Sequence, residues 1–249
     1  LLVSFIIPTY NEAENLPRLV TTFFGLPVDG LRLVIVDDNS PDGTGQIADQ
    51  LAAQFPGRLQ VIHRAGKQGL GTAYIAGFKL CISQGVEAVG QMDADFSHPI
   101  EKIVELVRTL EKGQCDTVIG SRYVRGGSVD VNWPMWRKGL SAWANFYART
   151  ILHLPARDVT GGFRLIRREV IQNMPLELIR SSGYVFQVET AYIMHRIGVR
   201  FQEVPIYFAD RKLGKSKMSL PIQIEAAFRV WELLGMYRGL KQVINLKSK

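Results

Sequence analysis

The sequence predicts an α/β fold with a mostly parallel central sheet covered by helices on both faces. Three observations carry that prediction. The first 120 residues alternate short apolar runs with longer helical patterns. The apolar runs are continuous rather than alternating, as strands buried on both faces require. Most of them end in polar, Gly- or Asp-rich turns, which is where α/β sheets place their ligands.

Residues 2–7 form the first apolar strand, ended by Pro8-Thr9-Tyr10-Asn11-Glu12, and a helix is expected from about residue 12 to 24. Residues 31–36 form the second strand, followed by Asp37-Asp38-Asn39-Ser40-Pro41-Asp42-Gly43-Thr44 and a helix to about residue 54. Residues 59–63 form the third. Gly66-Lys67-Gln68-Gly69-Leu70-Gly71 then leads into a helix to about residue 83. Residues 87–92 form the fourth strand and end in Asp93-Ala94-Asp95. A helix over about 99–111 leads to a fifth strand at 116–120. The second half is less regular. An aromatic-rich helix is expected over 133–152, a turn and strand at 161–166, a helix at 186–197 and a strand at 200–208. A basic loop spans 210–217. The last helix starts near Pro221, a favoured first helical position, and runs to about residue 237. There is no internal repeat and no low-complexity linker, so residues 1–249 read as one domain with a subregion appended after residue 120.

Composition narrows the function. Two cysteines, Cys81 and Cys115, make no disulfide framework. No run of about 18 uninterrupted apolar residues exists, so no transmembrane helix is expected. The net charge of +7 hides an asymmetry: residues 1–120 carry 9 Lys/Arg and 14 Asp/Glu, and residues 121–249 carry 21 and 9. An acidic half beside a basic half suits metal binding in the one and phosphate or an anionic surface in the other. The four histidines show no zinc spacing, and no nucleophile elbow or nucleic-acid motif is present. No Walker or G-x-G-x-x-G pattern occurs, which disfavours a P-loop kinase or a Rossmann dehydrogenase.

Asp93 and Asp95 are the sharpest chemical signal. Two residues apart in extended backbone, they point the same way. Two hard oxygen anions suit a divalent cation that keeps positions for water and phosphate oxygens. Asp37 and Asp38 follow the second strand and point differently; one is expected to cap the next helix and the other to accept hydrogen bonds from a base or ribose. His98 has two readings, support for the carboxylate pair or a cap for the helix near Pro99. Arg122, Arg137, Arg211, Lys215 and Lys217 offer forked donors and mobile charges for phosphate, and Gly214 makes the basic loop a candidate lid. Trp136, Leu140, Trp143, Tyr147 and Ile151 share one helical face, and Phe228, Trp231, Leu234 and Tyr237 repeat the pattern in the last helix. Core packing is expected for both, with a membrane interface as the alternative.

These motifs, with Gly120-Ser121-Arg122-Tyr123, Thr160-Gly161-Gly162-Phe163-Arg164 and Lys212-Leu213-Gly214-Lys215-Ser216-Lys217, occur in the order seen in family 2 glycosyltransferases. Within them the chain resembles the dolichol- or polyprenol-phosphate mannosyltransferases over nearly its whole length. The resemblance implies a GT-A fold spanning 1–249 as a single catalytic domain, with residues 1–120 as the nucleotide-sugar and metal half and 121–249 as the acceptor side. It implies GDP-mannose as donor, Mg²⁺ or Mn²⁺ as cofactor, and inverting transfer to a polyprenyl or dolichyl phosphate. Pro8, Tyr10, Glu12 and Asp37 would line the nucleotide pocket. Asp93 and Asp95 would serve the metal and diphosphate; Ser97 stands where some relatives carry Gln. Arg122 and Arg137 would bind the acceptor phosphate, and Arg211 and Lys217 would close on the donor diphosphate. The expected setting is peripheral, on the cytoplasmic face of a membrane or held there by a small anchoring subunit, without nucleic acid. The rival readings are a sibling enzyme using UDP-glucose or another sugar nucleotide, and a non-catalytic nucleotide-sugar binding module.

Overall fold

The computed structural model describes residues 1–181, 183, 185–210 and 220–240. Its first half follows the expected alternation: β1 (Val3–Thr9), α1 (Leu16–Phe24), β2 (Leu31–Asp37), α2 (Thr44–Gln54), β3 (Leu59–His63), α3 (Leu70–Ser83), β4 (Ala88–Gln91), α4 (Ile103–Glu111) and β5 (Thr117–Ser121). The second half adds β6 (Ser128–Val129), α5 (Met135–Leu152), β7 (Arg164–Arg167), α6 (Arg168–Asn173), α7 (Val185–Arg196), β8 (Phe201–Pro205), β9 (Tyr207–Phe208) and α8 (Leu220–Met236).

Seven strands form one sheet in the order β3-β2-β1-β4-β7-β5-β8. All neighbours run parallel except β7, which lies antiparallel between β4 and β5. Alternate residues of β1 and β2 feed two separate cores. Ile6, Val34 and Val36 pack on one face with Tyr74 and Phe78 of α3. Phe5, Ile7, Leu33 and Ile35 pack on the other with Leu19 and Phe23 of α1 and Leu106 of α4. Continuous apolar strands are therefore read correctly as strands covered on both sides.

Several expected boundaries shift for local reasons. The first helix begins at Leu16 rather than near residue 12, with Pro17 in its first turn and Glu12 held in a preceding turn by the Asn15 side-chain amide at 2.8 Å. The 99–111 helix opens as a 3₁₀ turn over Ile100–Lys102. The expected strand at 200–208 breaks at Ile206, whose N–H turns to the Ser121 carbonyl at 3.0 Å. Its end, β9, pairs with β6 in a separate two-residue ladder too short to leave a sequence pattern.

The aromatic helices depart from expectation. In α5 the buried residues are Asn145, Ala148 and Leu152, while Trp136 (68%), Trp143 (53%) and Phe146 (65%) are exposed. In α8, Val230 and Leu233 are buried, as is Tyr237 just beyond it, yet Phe228 and Trp231 are exposed. Core packing is thus corrected for Trp136, Trp143, Phe228 and Trp231, which face outward, whereas Tyr237 is in the core as expected. Trp143 stacks on Tyr147 with ring centroids 5.0 Å apart, and Trp231 Nε1 donates to the Tyr147 hydroxyl at 2.9 Å, so the two helices share one aromatic surface.

Candidate active site

The carboxyl ends of β1, β2 and β4 meet at one rim, and the turns that follow them are knitted together. The Asp38 N–H donates to the Thr9 carbonyl at 3.1 Å, and the Asn11, Glu12 and Ala13 N–H groups donate to the side chains of Ser40, Thr44 and Asp42. Pro8 lies within β1 and Tyr10 just beyond it, 37% exposed, with Lys67 Nζ 4.3 Å from its ring centroid. Such a rigid, half-open rim is the general ligand site of an open α/β sheet.

Asp37 is buried and accepts from Thr9 Oγ1 (3.1 Å), Ser40 N (3.1 Å) and Ser40 Oγ (2.6 Å). Asp38 pairs with Arg64 Nε at 2.8 Å; burial raises its carboxyl above the ordinary range, although Arg64 opposes the shift. Neither caps the next helix. The N-cap is Gly43, and the preceding Asp42 Oδ1 accepts from Thr44 N and Oγ1 at the start of the helix. The expected capping role for one of Asp37 and Asp38 is corrected accordingly. The glycine loop before α3 is a packing device as well as a turn. Gly69 sits at φ +97, and a Cβ on Gly71 would lie 2.5 Å from the Ser181 carbonyl and 2.7 Å from Phe186, so only glycine fits there.

The Asp93–Asp95 turn is built with more support than the sequence reveals. Asp95 Oδ1 accepts from Ser97 N and Ser97 Oγ. The Asp93 N–H donates to His98 Nδ1 at 3.2 Å, so His98 supports the carboxylate turn rather than capping a helix. Its imidazole stacks on Phe163 at 5.2 Å, and burial lowers its pKa despite the two aspartates, which keeps Nδ1 an acceptor. Ser97 is fully buried and its hydroxyl serves Asp95. Phe96 between them holds φ 59, a left-handed conformation costing a non-glycine residue about 1–2 kcal/mol. Strain of this kind persists where surrounding contacts fix a functional turn. Among the described residues no group of three or more His, Cys, Asp or Glu side chains gathers for a metal. Two hard carboxylates fit Mg²⁺ or Mn²⁺ that takes its other positions from substrate phosphate and water.

The basic residues divide. Arg122 is buried: Nε and Nη2 donate to the two Asp158 carboxylate oxygens at 2.7 Å each, and Nη2 also to Thr160 Oγ1 at 2.8 Å. Burial pulls Asp158 upward, but the Arg122 charge and hydrogen bonds outweigh it and hold the carboxyl below its usual range. Asn145 of α5 closes the network, accepting from Val159 N and Thr160 N and donating to Thr160 Oγ1. Arg164, fully buried, donates to the Val159 and Gly161 carbonyls, and burial lowers it to about 10. Arg137 lies apart, stacked 3.6 Å from the Trp133 ring centroid and paired with Asp210 Oδ1 at 3.0 Å. It thus stands at the foot of the basic loop. Arg211, Lys215 and Lys217 lie outside the described residues.

Sequence reasoning missed Asp158, Asn145 and Gln187. The Thr160–Arg164 motif pointed to the right loop, but the carboxylate that anchors it lies two residues upstream without a pattern of its own. Gln187 sits in a helix buried along Phe186–Met194, where no polar face marks it.

Comparison with known proteins places these features. The model of glycosyl transferase family 2 matches residues 4–174. A polyprenol monophosphomannose synthase of Mycolicibacterium smegmatis is 45% identical over 243 residues, covering 96% of this chain and 90% of that protein. An undecaprenyl-phosphate mannosyltransferase of Micrococcus luteus is 43% identical over 243 residues, covering 97% and 98%. The solved structure of Mycobacterium tuberculosis glucosyl-3-phosphoglycerate synthase with Mn²⁺, UDP-glucose and phosphoglyceric acid superposes with a TM-score of 0.63 at 18% identity, covering 94% of this chain and 79% of that one. At that identity the likeness speaks for the fold alone.

Proposed function

The chain belongs to glycosyltransferase family 2 and is a glycosyltransferase of the GT-A fold, and from that premise we propose that it moves mannose from GDP-mannose to a polyprenyl phosphate. The observation that carries this reading is the 45% and 43% identity, across nearly the whole chain, to two enzymes named for polyprenyl-linked mannose. The Asp93–Asp95 pair at the sheet rim, followed by the strained Phe96, supports metal-assisted transfer from a sugar diphosphate.

The chemistry follows from charge and position. Pro8, Tyr10, Glu12 and Asp37 surround the nucleoside, and Asp93 and Asp95 would hold Mg²⁺ or Mn²⁺. A divalent cation bound there supplies positive charge to the donor diphosphate. The polyprenyl phosphate is already anionic near neutral pH, so it requires positioning rather than deprotonation. One of its oxygens bonds to the anomeric carbon as the bond from that carbon to the GDP diphosphate breaks. GDP leaves with the bonding electrons and the configuration inverts. Orientation and charge stabilisation of the leaving diphosphate dominate the barrier. Arg137 receives the acceptor phosphate, Arg211 and Lys217 the diphosphate, and Arg122 acts at the acceptor side while locked to Asp158.

The outward aromatic surface of α5 and α8 suits a membrane. Trp136, Trp143 and Trp231 are amphipathic rings of the type that sit at headgroup level, and α8 also carries Arg229. Among the described residues no helix is long and apolar enough to cross a bilayer. The chain docks peripherally, on the cytoplasmic face. The double substitution Trp143→Ser/Trp231→Ser is expected to weaken co-sedimentation with anionic phospholipid vesicles about 10-fold or more. Transfer to a short-chain, water-soluble acceptor should survive. Unchanged vesicle binding would remove this surface from the account.

Transfer of radiolabel from GDP-mannose into organic-extractable lipid, with polyprenyl phosphate and Mg²⁺ or Mn²⁺, tests the function. Mannose-labelled lipid that disappears with EDTA is the expected result. Label from UDP-glucose alone would move the enzyme to the sibling specificity, and no label from either donor would favour a binding module.

A further inference from the structure

Gln187 has no assigned task, yet its placement demands one. It is 3% exposed, and among the described residues neither its amide nitrogen nor its amide oxygen has a hydrogen-bond partner. Buried amides are almost always satisfied, and leaving one unmade is costly. A methionine would fill the same space without that cost. The Gln187 amide faces Gly162, where a Cβ would lie 3.4 Å from Gln187 Nε2 and 3.9 Å from Asp93 Oδ1. The amide and the carboxylate therefore flank the same glycine, and any larger side chain there would fill the space between them. Its helix is fixed from within, because Thr190 Oγ1 also contacts the Phe186 and Gln187 carbonyls and the buried Arg164 guanidinium.

We propose that Gln187 binds the transferred sugar, its amide pairing with ring hydroxyls of the donor hexose beside Asp93. The inference rests on the glycosyl-transfer reading and deepens it. Ligand chemistry selects a hydroxyl over the alternatives. A cation would take only Oε1 and leave the NH₂ unpaired. A phosphate would take only the NH₂ and set Oε1 against an anion. A hydroxyl both donates and accepts, so two neighbouring hydroxyls satisfy both ends of the amide at once. A buried site built to bond a hydroxyl also rejects strongly any sugar that lacks it, which makes Gln187 a specificity residue.

The test compares wild type with Gln187→Met, which keeps length and volume but removes both polar atoms. Expected is a loss in kcat/KM for GDP-mannose of about 30- to 100-fold, from two neutral hydrogen bonds. Calorimetric affinity for GDP, which carries no sugar, should stay within about twofold of wild type, the scatter expected for a group that touches no hydrogen-bonding partner there. GDP-mannose analogues lacking single ring hydroxyls should be penalised by wild type, and for at least one analogue the penalty should vanish in the variant. GDP-mannose kinetics unchanged in Gln187→Met, or an equal loss of GDP and GDP-mannose affinity in a variant that unfolds like wild type, would overturn the assignment. If Gln187→Met does not fold, Gln187→Asn, which withdraws the amide by one methylene, is measured in the same way. If wild type uses UDP-glucose instead, the donor assignment falls, and UDP against UDP-glucose decides the role of Gln187 by the same criteria.

Discussion

Asp95→Asn lowers turnover about 1,000-fold, at the upper end of what removing one charge-stabilising group costs, while the protein still folds. Asparagine is the sharper substitution than alanine. Its amide oxygen can still accept from Ser97 N and Oγ, which Asp95 Oδ1 does in the native turn, so the shape of the turn around Phe96 is kept. What disappears is the negative charge. On the reading proposed above, that charge helps hold the divalent cation, so the Mg²⁺ or Mn²⁺ concentration needed for half-maximal rate also rises. Turnover at saturating donor, a metal titration and a thermal unfolding curve check the three parts separately. Near-normal turnover at an unchanged metal requirement would refute the role of Asp95. Asp95→Ala removes the acceptor as well, and is expected to lose both activity and about 1 kcal/mol of stability from the unmade turn hydrogen bonds.

Much of this architecture is readable in the sequence because its physics is local. Short apolar runs such as 33–36, bounded by turn residues and alternating with helical patterns, read as strands covered on both faces, and the acids that follow them fall at one rim. Asp37 ends β2, and Asp93 and Asp95 follow β4, as that logic expects. Where the deciding interaction is long-range, the sequence is silent. Nothing in the 161–166 segment announces that β7 inserts antiparallel between β4 and β5. The aromatic stripe of α5 has helical periodicity whether its partner is a core or a surface, and only the structure shows Trp143 facing outward. The counter-ion of Arg122, Asp158, is 36 residues away, so no local pattern announces the pair. Asp38 likewise finds Arg64 across a strand. Gln187 escapes for a different reason: an unsatisfied buried amide is a property of three-dimensional surroundings, with no counterpart in one dimension.

Asp158→Asn is the substitution expected to damage the fold most. Asp158 is fully buried and accepts two side-chain bonds and one backbone bond from Arg122, at 2.7, 2.7 and 2.9 Å, together with the Gly161 N–H at 3.0 Å. Neutralising it leaves the Arg122 guanidinium charged in a site shielded from water. Breaking one side of a buried pair costs about 3–5 kcal/mol, which for a chain of this size lowers the melting temperature by about 10 °C or more. The pH dependence has a definite sign. The folded-state pKa of Asp158 lies below its ordinary value, so its contribution is fully present above the unfolded value of about 3.9 and is lost as pH falls through the folded value. Wild type and variant should therefore differ by a constant amount near neutrality and converge only in strong acid. A second substitution separates this electrostatic cause from simple damage to the loop. Arg122→Met in the Asp158→Asn background removes the orphaned charge, and the double variant should be more stable than Asp158→Asn alone. It should not regain transfer, because the pair fixes the 158–163 loop that carries Gly162 to Asp93. Strictly additive losses in the double variant would mean that the two side chains do not stabilise one another, and the loop would then owe its position to Asn145 and Arg164 instead.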